Sequence, residues 1–344
     1  MLILRLGAMG DILHALPAVT ALRATHPDWF LGWAIEPQWR RLLAANHALA
    51  RGPAMPVVDQ LHIVAAKEWG RHPVSAATIG DIRRVRQELR AARYDVCVDL
   101  QGALRSAVLG KWAHPHRLIG EEKPREWAAR YLFDEPIPTK GVHVIEQAVE
   151  VANAVAREEL PVMLPWLPIS ETAEAFCDVH LAALNNRPFA ILNPGAGWGA
   201  KRWPAERYGE VACSLVKRGY GVVINAGPGE EMLAKEVNAA SGNIAIVLAP
   251  ALDELIALTR RSSLVIAGDT GPLHLASALG KPVVGIFGPT DPARNGPFGG
   301  NFRVLRHPES KRDHSRRAEP EAGLLTISPE DVLNAADDVL KETC

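Results

Sequence analysis

Three short stretches carry side chains that could do chemistry together. Asp11 closes Gly7-Ala8-Met9-Gly10-Asp11, between an apolar stretch and an amphipathic one. An aspartate there either caps the following helix, favoured by its dipole, or stands at a cleft edge as general base for a substrate hydroxyl. Lys201 ends Pro194-Gly195-Ala196-Gly197-Trp198-Gly199-Ala200-Lys201. Its glycines, Gly197 central among them, admit backbone close to a ligand, and the lysine offers a compact charge to phosphate oxygens. The alternative is an exposed loop with solvated charge. Gly268-Asp269-Thr270-Gly271-Pro272-Leu273-His274 reads as a strand end, a tight turn and a helix start, with Pro272 in the first turn. Free N–H groups and the positive end of the helix dipole suit the diphosphate of a sugar nucleotide; a well-capped turn is the plain alternative. His274 is either a core histidine or a ligand. Glu230, after Ala226-Gly227-Pro228-Gly229, either caps a helix or accepts hydrogen bonds from ribose hydroxyls.

Other chemistries lack their signatures. Gly7-x-x-Gly10 is not the dinucleotide fingerprint, and Lys201 is not in P-loop spacing, which argues against a dehydrogenase and a P-loop enzyme. No histidine or acidic cluster has metal-ligand spacing, so a metal-independent reaction with no cofactor is expected. A net charge of −1 names no nucleic-acid partner. Cys97, Cys177, Cys213 and Cys344 form no CxxC pair, and a reducing cytoplasm fits them. With 48% hydrophobic and 22% charged residues the composition is that of a globular protein. No apolar run is long enough to span a membrane. The strand-like start at Met1-Leu2-Ile3-Leu4 is not expected to be a signal peptide.

The elements that must hold these residues alternate. Strands are expected at 2–6, 30–35, 61–65, 95–100 and 117–120, with helices to about residue 24, over 79–93 and over 142–156. Pro17 is expected to disturb the first helix. The second half reads as strands at 188–193, 220–225, 244–248, 264–267 and 282–287, with helices near 204–218, 229–240, 252–262, 272–279 and 328–341. Such alternation means parallel sheets with helices on both faces. At 344 residues the chain should form two α/β domains, 1–160 and 188–344, joined by 161–187, a connection with a helix near 171–184. The terminal helix is expected to be able to pack back on the first domain, and 290–326 to be a long connection. Ligands in parallel sheets lie beyond the carboxyl ends of the strands, and the Gly-rich turns above all follow strands.

Five motifs in order carry a resemblance that runs over nearly the whole chain. They are Met9-Gly10-Asp11-Ile12-Leu13-His14 with Leu16-Pro17-Ala18; Asp99-Leu100-Gln101-Gly102 with Arg105-Ser106; Ala200-Lys201-Arg202-Trp203-Pro204; Gly268-Asp269-Thr270-Gly271 with His274-Leu275; and Gly288-Pro289-Thr290-Asp291-Pro292. Through them the sequence resembles the family 9 glycosyltransferases, and within these the lipopolysaccharide heptosyltransferases, type I before type II. The resemblance implies a GT-B architecture, two Rossmann-like domains whose parallel sheets face a central cleft. It implies inverting transfer of L-glycero-D-manno-heptose from ADP-heptose to a Kdo of Kdo2-lipid A. By it, Asp11 is the catalytic base and Lys201 steadies the departing diphosphate. Asp269, Thr270, Gly271, His274 and Gly197 hold the donor, and Glu230 the ribose. Lys67, Arg71, Arg125 and Gln101 fall on the side of the anionic acceptor. A monomer is implied, in the cytoplasm or at the cytoplasmic face of the inner membrane. Asn193 to Trp203 is more similar to type II members, and Glu68 and Gly70 stand where the resemblance implies positive charge. An epimerase of the same two-domain shape would need a second acid/base group opposite Asp11.

Overall fold

The computed structural model describes residues 1–45, 48–310, 313 and 318–342; Cys344 and part of the 290–326 stretch lie outside them. The chain divides into two units, Met1–Ile169 and Ser170–Cys344.

The first unit holds a six-stranded parallel sheet of β1 (Leu2–Leu4), β2 (Gly32–Ile35), β3 (Gln60–Ile63), β4 (Val96–Asp99), β5 (Arg117–Glu121) and β6 (Glu135–Ile137), in the order β3-β2-β1-β4-β5-β6. Its helices are α1 (Met9–Thr25), α2 (Ala66–Arg71), α3 (Ala76–Ala91), α4 (Leu104–Trp112) and α5 (Val144–Ala156). Helices α1 and α5 pack together through Ala18, Ala21, Leu22, Ala148 and Ala152. Val85 and Leu89 of α3 and Ala107 and Leu109 of α4 join Leu2, Leu4 and Cys97 in another cluster. Covered strands have no wet face, so β1 reads Leu-Ile-Leu without alternation. Helix α1 runs unbroken through Pro17.

The second unit begins with α6 (Glu171–Leu181). It then alternates β7 (Phe189–Asn193), α7 (Ala205–Lys217), β8 (Gly221–Asn225), α8 (Glu231–Ala240), β9 (Ile246–Leu248), α9 (Leu252–Arg261), β10 (Leu264–Gly268), α10 (Gly271–Ala278), β11 (Val283–Phe287), α11 (Pro292–Asn295), β12 (Phe302–Arg306) and α12 (Pro329–Lys341). The parallel sheet runs β12-β11-β10-β7-β8-β9. Counted from the first strand of each unit, both sheets have the order 3-2-1-4-5-6 of the dinucleotide-binding fold. Each reverses direction once, at β1/β4 and at β7/β10, and those are the places where such sheets bind ligands.

Several expectations change. The helix expected near 171–184 is α6, and it does more than connect: it packs on α9, and Ala173 and Cys177 enter the second core. The terminal helix packs on α7, β11 and β12 of its own unit, burying Val332, Ala336 and Val339. It starts at a capping box in which Ser328 Oγ accepts from Asp331 N at 3.1 Å and Asp331 accepts from Ser328 N at 2.8 Å. Strands β6 and β12 were not anticipated. Both are edge strands without a continuous buried run, and β6 contains Pro136, which only an edge tolerates.

A buried knot at the end of β4 fixes the first reversal point. Asp99 Oδ1 accepts from Gln101 N at 2.8 Å and Gly102 N at 2.9 Å, and Oδ2 lies 2.8 Å from Ser106 Oγ. Ser106 Oγ also reaches Ala103 O at 2.8 Å, so it can donate there and accept from a protonated carboxyl. Burial outweighs these bonds and pushes the Asp99 carboxyl up to about 6. The folded chain therefore holds this proton at pH values where the unfolded chain, titrating near about 4, has released it. The resulting stability is complete below the unfolded value and lost as pH rises through 6, about 2–3 kcal/mol over the window. Urea unfolding between pH 4 and pH 7 should show this slope in the natural protein and lack it in Asp99→Asn, whose amide donates to Ser106 at every pH. Equal slopes would contradict the assignment.

Candidate functional site

In the first unit the chain leaves β1 for α1 and β4 for α4, and Asp11 sits on the first turn of α1. Arg5 Nη2 approaches Asp11 Oδ1 to 2.9 Å, and Ala8 N donates to Oδ2 at 3.0 Å. The aspartate thus does what a cap does, yet its side chain stays 41% exposed. Arg5 also donates from Nε to Asp11 O at 3.2 Å and from Nη1 to Leu100 O, so one guanidinium joins β1, the α1 start and the end of β4. A carboxylate held at both oxygens and still wet can accept a proton from a bound hydroxyl.

Around it lie the other strand tips. Gln101 was expected on the acceptor side, but it is 5% exposed and its Oε1 accepts from Leu6 N at 2.8 Å. It braces β1 against β4, because a buried amide without a partner would be costly. Lys67 starts α2 after β3, its backbone N donating to Glu36 Oε1 at 3.0 Å and its side chain exposed. Burial pushes the Glu36 carboxyl up, against that hydrogen bond and the Lys67 and Arg105 charges. Arg71 is exposed and lies 3.4 Å from Glu68. Arg125 is exposed, and its backbone crosses Gly102 so closely that a Cβ there would lie 2.9 Å from Arg125 N. Gly102 also has φ +63°, which glycine alone adopts freely.

The second reversal point, β7/β10, collects charge of the opposite kind. Asp269 follows β10 and is 10% exposed. Lys201 Nζ bonds to its Oδ2 and to its backbone O at 3.3 Å, while His274 Nε2 lies 3.2 Å from Oδ1. Burial opposes the charge on Asp269, but the His274 hydrogen bond and attraction, then those of Lys201, outweigh it and hold the carboxyl well below its usual range. Trp198 lies under Lys201, with Nζ 4.3 Å from the ring centroid. Thr270 is the N-cap of α10 and Gly271 its first residue, with Pro272 next; the Thr270 side chain makes no cap bond. Pro272 has no N–H and Leu273 N donates to Thr270 O at 3.1 Å, so what the α10 start offers an anion beyond β10 is the Gly271 N–H and the positive end of the helix dipole. Asn193 Nδ2 reaches Thr270 Oγ1 at 3.4 Å, and Asn225 Nδ2 donates to Asn193 Oδ1 at 2.5 Å, tying the ends of β7 and β8 to α10.

Glu230 belongs to the same strand-tip region. Its Oε2 accepts from Gly227 N at 3.2 Å, and burial, countered by that bond, pushes the carboxyl up. A Cβ on Gly195 would fall 1.8 Å from Glu230 Oε2, so the turn after β7 must be glycine to leave the carboxylate in place. A Cβ on Gly197 would meet no atom within 4 Å. Among the described residues no three His, Cys, Asp or Glu side chains gather as a metal site would require.

The second unit thus brings together Lys201, Asp269, Thr270, Gly271 and His274, and sets Glu230 beside Gly195. The first unit places Asp11 beside Arg5 and carries Lys67 and Arg71 on α2, after β3, and Arg125 on the segment after β5. Arg5, Glu36, Asn193 and Asn225 were missed as functional residues. All four sit at a strand end or just past it, which is the one signal that could have raised them.

Comparison with known proteins agrees with this geometry. The model of glycosyltransferase family 9 (heptosyltransferase) matches residues 82–324. Lipopolysaccharide heptosyltransferase 1 of Pseudomonas aeruginosa is 27% identical over 87% of this chain and 81% of its own length. Lipopolysaccharide heptosyltransferase 2 of Salmonella typhimurium is 28% identical over 97% and 96%. The solved structure of E. coli ADP-heptose lps heptosyltransferase II has a TM-score of 0.79 at 23% identity, covering 99% of this chain and 98% of that one. E. coli heptosyltransferase WaaC with ADP gives 0.78 at 24%, covering 98% and 99%. The fold is that of these GT-B structures, and type I and type II relatives are equally near. With two sheets of this order and a family match over most of its length, the chain belongs to glycosyltransferase family 9, the heptosyltransferase family.

Proposed function

We propose that the enzyme transfers L-glycero-D-manno-heptose from ADP-heptose to a Kdo of Kdo2-lipid A, with inversion at the anomeric carbon. The observation that carries the reading is Asp11, an exposed carboxylate oriented through both oxygens at the reversal point of the first sheet. In the reaction Asp11 takes the proton of the acceptor hydroxyl while that oxygen bonds to the anomeric carbon. The bond from that carbon to the phosphate oxygen breaks, and its electron pair leaves with ADP. Lys201 and the first turn of α10 receive the charge that develops on the diphosphate. Asp269 and His274 orient the sugar and phosphates, and Glu230 accepts from the ribose hydroxyls. Exposed Lys67, Arg71 and Arg125 meet the carboxylates and phosphates of the acceptor. No resident metal takes part, and the enzyme works as a monomer at the cytoplasmic face of the inner membrane.

The second reading keeps the reaction and changes the acceptor to that of a type II enzyme. It is favoured by the type II relative's coverage of 97% of this chain at 28% identity. An epimerase is set aside by family membership.

Incubation with ADP-heptose and Kdo2-lipid A should give one added heptose by mass spectrometry; transfer only to an acceptor already bearing heptose would select the second reading. Asp11→Ala should lower kcat at least about 100-fold, the scale of a general base, with the KM for ADP-heptose little changed; an unaltered rate would remove Asp11 from the chemistry. Gly195→Ala should fold normally, because its Cβ meets only the movable end of Glu230, yet bind ADP about ten-fold more weakly through loss of one charge-assisted contact. Calorimetric titration with ADP checks this, and undiminished affinity would separate Glu230 from the nucleotide. Activity should survive EDTA; complete loss, restored by a divalent ion, would require a metal.

A further inference from the structure

The strand-tip face of the first unit also carries an aromatic surface that the chemistry above leaves unused. Trp127 and Tyr131 lie on one short 3-10 turn, Trp127–Leu132, and are 72% and 76% exposed. Their rings meet edge to face, with centroids 5.7 Å apart. Leu104, the first residue of α4, is also exposed. Apolar residues scattered singly over a surface are ordinary; two large rings in mutual contact beside a leucine are not.

The platform beneath them is firm. Glu126 N donates to Gly102 O at 2.8 Å, and the Glu126 carboxylate accepts from Leu104 N at 2.8 Å. Ala129 is fully buried, and Leu132 and Phe133 pack into the core with α3 and α4. The rings are therefore held outward next to the Gln101-Gly102 turn. Lys123 and Arg125, just before the turn in the chain, and Arg105, next to Leu104, are exposed. Of the neighbouring acids Glu122 is offset by Arg130 at 3.8 Å, while Glu126 and Glu121 are turned to neutral donors, Leu104 N at 2.8 Å and Thr139 at 2.7 Å; with Arg130 the four cations exceed the three carboxylates by one.

We propose that this platform seats on an anionic lipid bilayer, Trp127 and Tyr131 entering the headgroup layer while Arg105, Lys123 and Arg125 meet its negative charge. Rings with an apolar body and a polar tip favour that layer, and cations at its surface add attraction. Complementarity to an anionic interface is what selects a membrane over a protein partner. Such attachment needs no spanning helix, and no helix among the described residues is long and apolar enough to span. The inference rests on the lipid acceptor proposed above and deepens it, since a docked platform brings an acceptor's headgroup to the strand tips that carry Asp11.

Sedimentation with vesicles of phosphatidylglycerol and phosphatidylcholine, against phosphatidylcholine alone, reads the binding directly. The natural protein should sediment with the anionic vesicles and be released by high salt. The double variant Trp127→Ser/Tyr131→Ser should keep its thermal unfolding, both side chains being exposed, and partition at least about ten-fold less. Its transfer to an acyl-free acceptor should be unchanged, and its transfer to acceptor embedded in those vesicles reduced. Equal partition of the two proteins would overturn the proposal, as would a variant altered only in its oligomeric state. A natural protein that binds the anionic vesicles but glycosylates neither acceptor would sink the assigned reaction and leave the surface standing.

Discussion

One buried carboxylate, Asp269, organises the second unit's site. A lone carboxylate there would cost several kcal/mol or take up a proton. It stays charged because an ammonium and an imidazole from two different segments converge on it. The pairing has a structural consequence: Lys201 comes from the loop after β7 and Asp269 from the end of β10, so the ion pair joins the two strands on either side of the reversal point. It has an electrostatic one too. The ammonium is already paired in this structure, and an anion reaching it competes with Asp269. In the proposed reaction, such a site grips the departing diphosphate less tightly than a bare lysine would, and so releases it more readily.

The first unit uses the same topology for the opposite task. Asp11 also has a cationic partner, Arg5, and also sits at a reversal point. The difference is water. Asp269 is sealed at 10% exposure, whereas Asp11 is 41% exposed with one oxygen on a backbone N–H. A base must be oriented but must also meet its substrate. Arg5 and Ala8 N do the orienting of the proposed base, while its side chain stays 41% exposed.

Much of this was legible in the amino-acid order. Continuous apolar runs such as Leu264-Val265-Ile266-Ala267 mark strands buried on both faces, and the Gly-rich turns after them mark their carboxyl ends. The edge strands escaped because nothing in Glu135-Pro136-Ile137 or Phe302-Arg303-Val304-Leu305-Arg306 is required to be wholly apolar at a sheet edge. Asp269 and Lys201 stood out as residue types, but 68 positions apart no spacing rule could pair them. The structural bond of Gln101 was hidden for a related reason. An amide at a strand tip looks like a substrate contact until its partner, Leu6 N, 95 positions away, is known. The Trp127 and Tyr131 platform was invisible because sequence shows that aromatics are present and not which way they face.

The acceptor side shows how a weak interaction can be useful. Glu68 stands where the resemblance implies positive charge, and it lies 3.4 Å from both Arg71 and His72. On the face of it the cationic surface is thinned. Yet all three side chains are more than half exposed, and exposed pairs of this kind are worth roughly 0–1 kcal/mol. A polyanionic acceptor offering several phosphates and carboxylates displaces Glu68 at little cost, and Arg71 is then as available as an unpaired arginine. The carboxylate lowers the surface's attraction for single anions more than for a multivalent one, because only the latter makes several contacts for each pair broken. On the proposed reading, a surface that meets a phosphate-rich lipid headgroup gains selectivity over small anions from that difference.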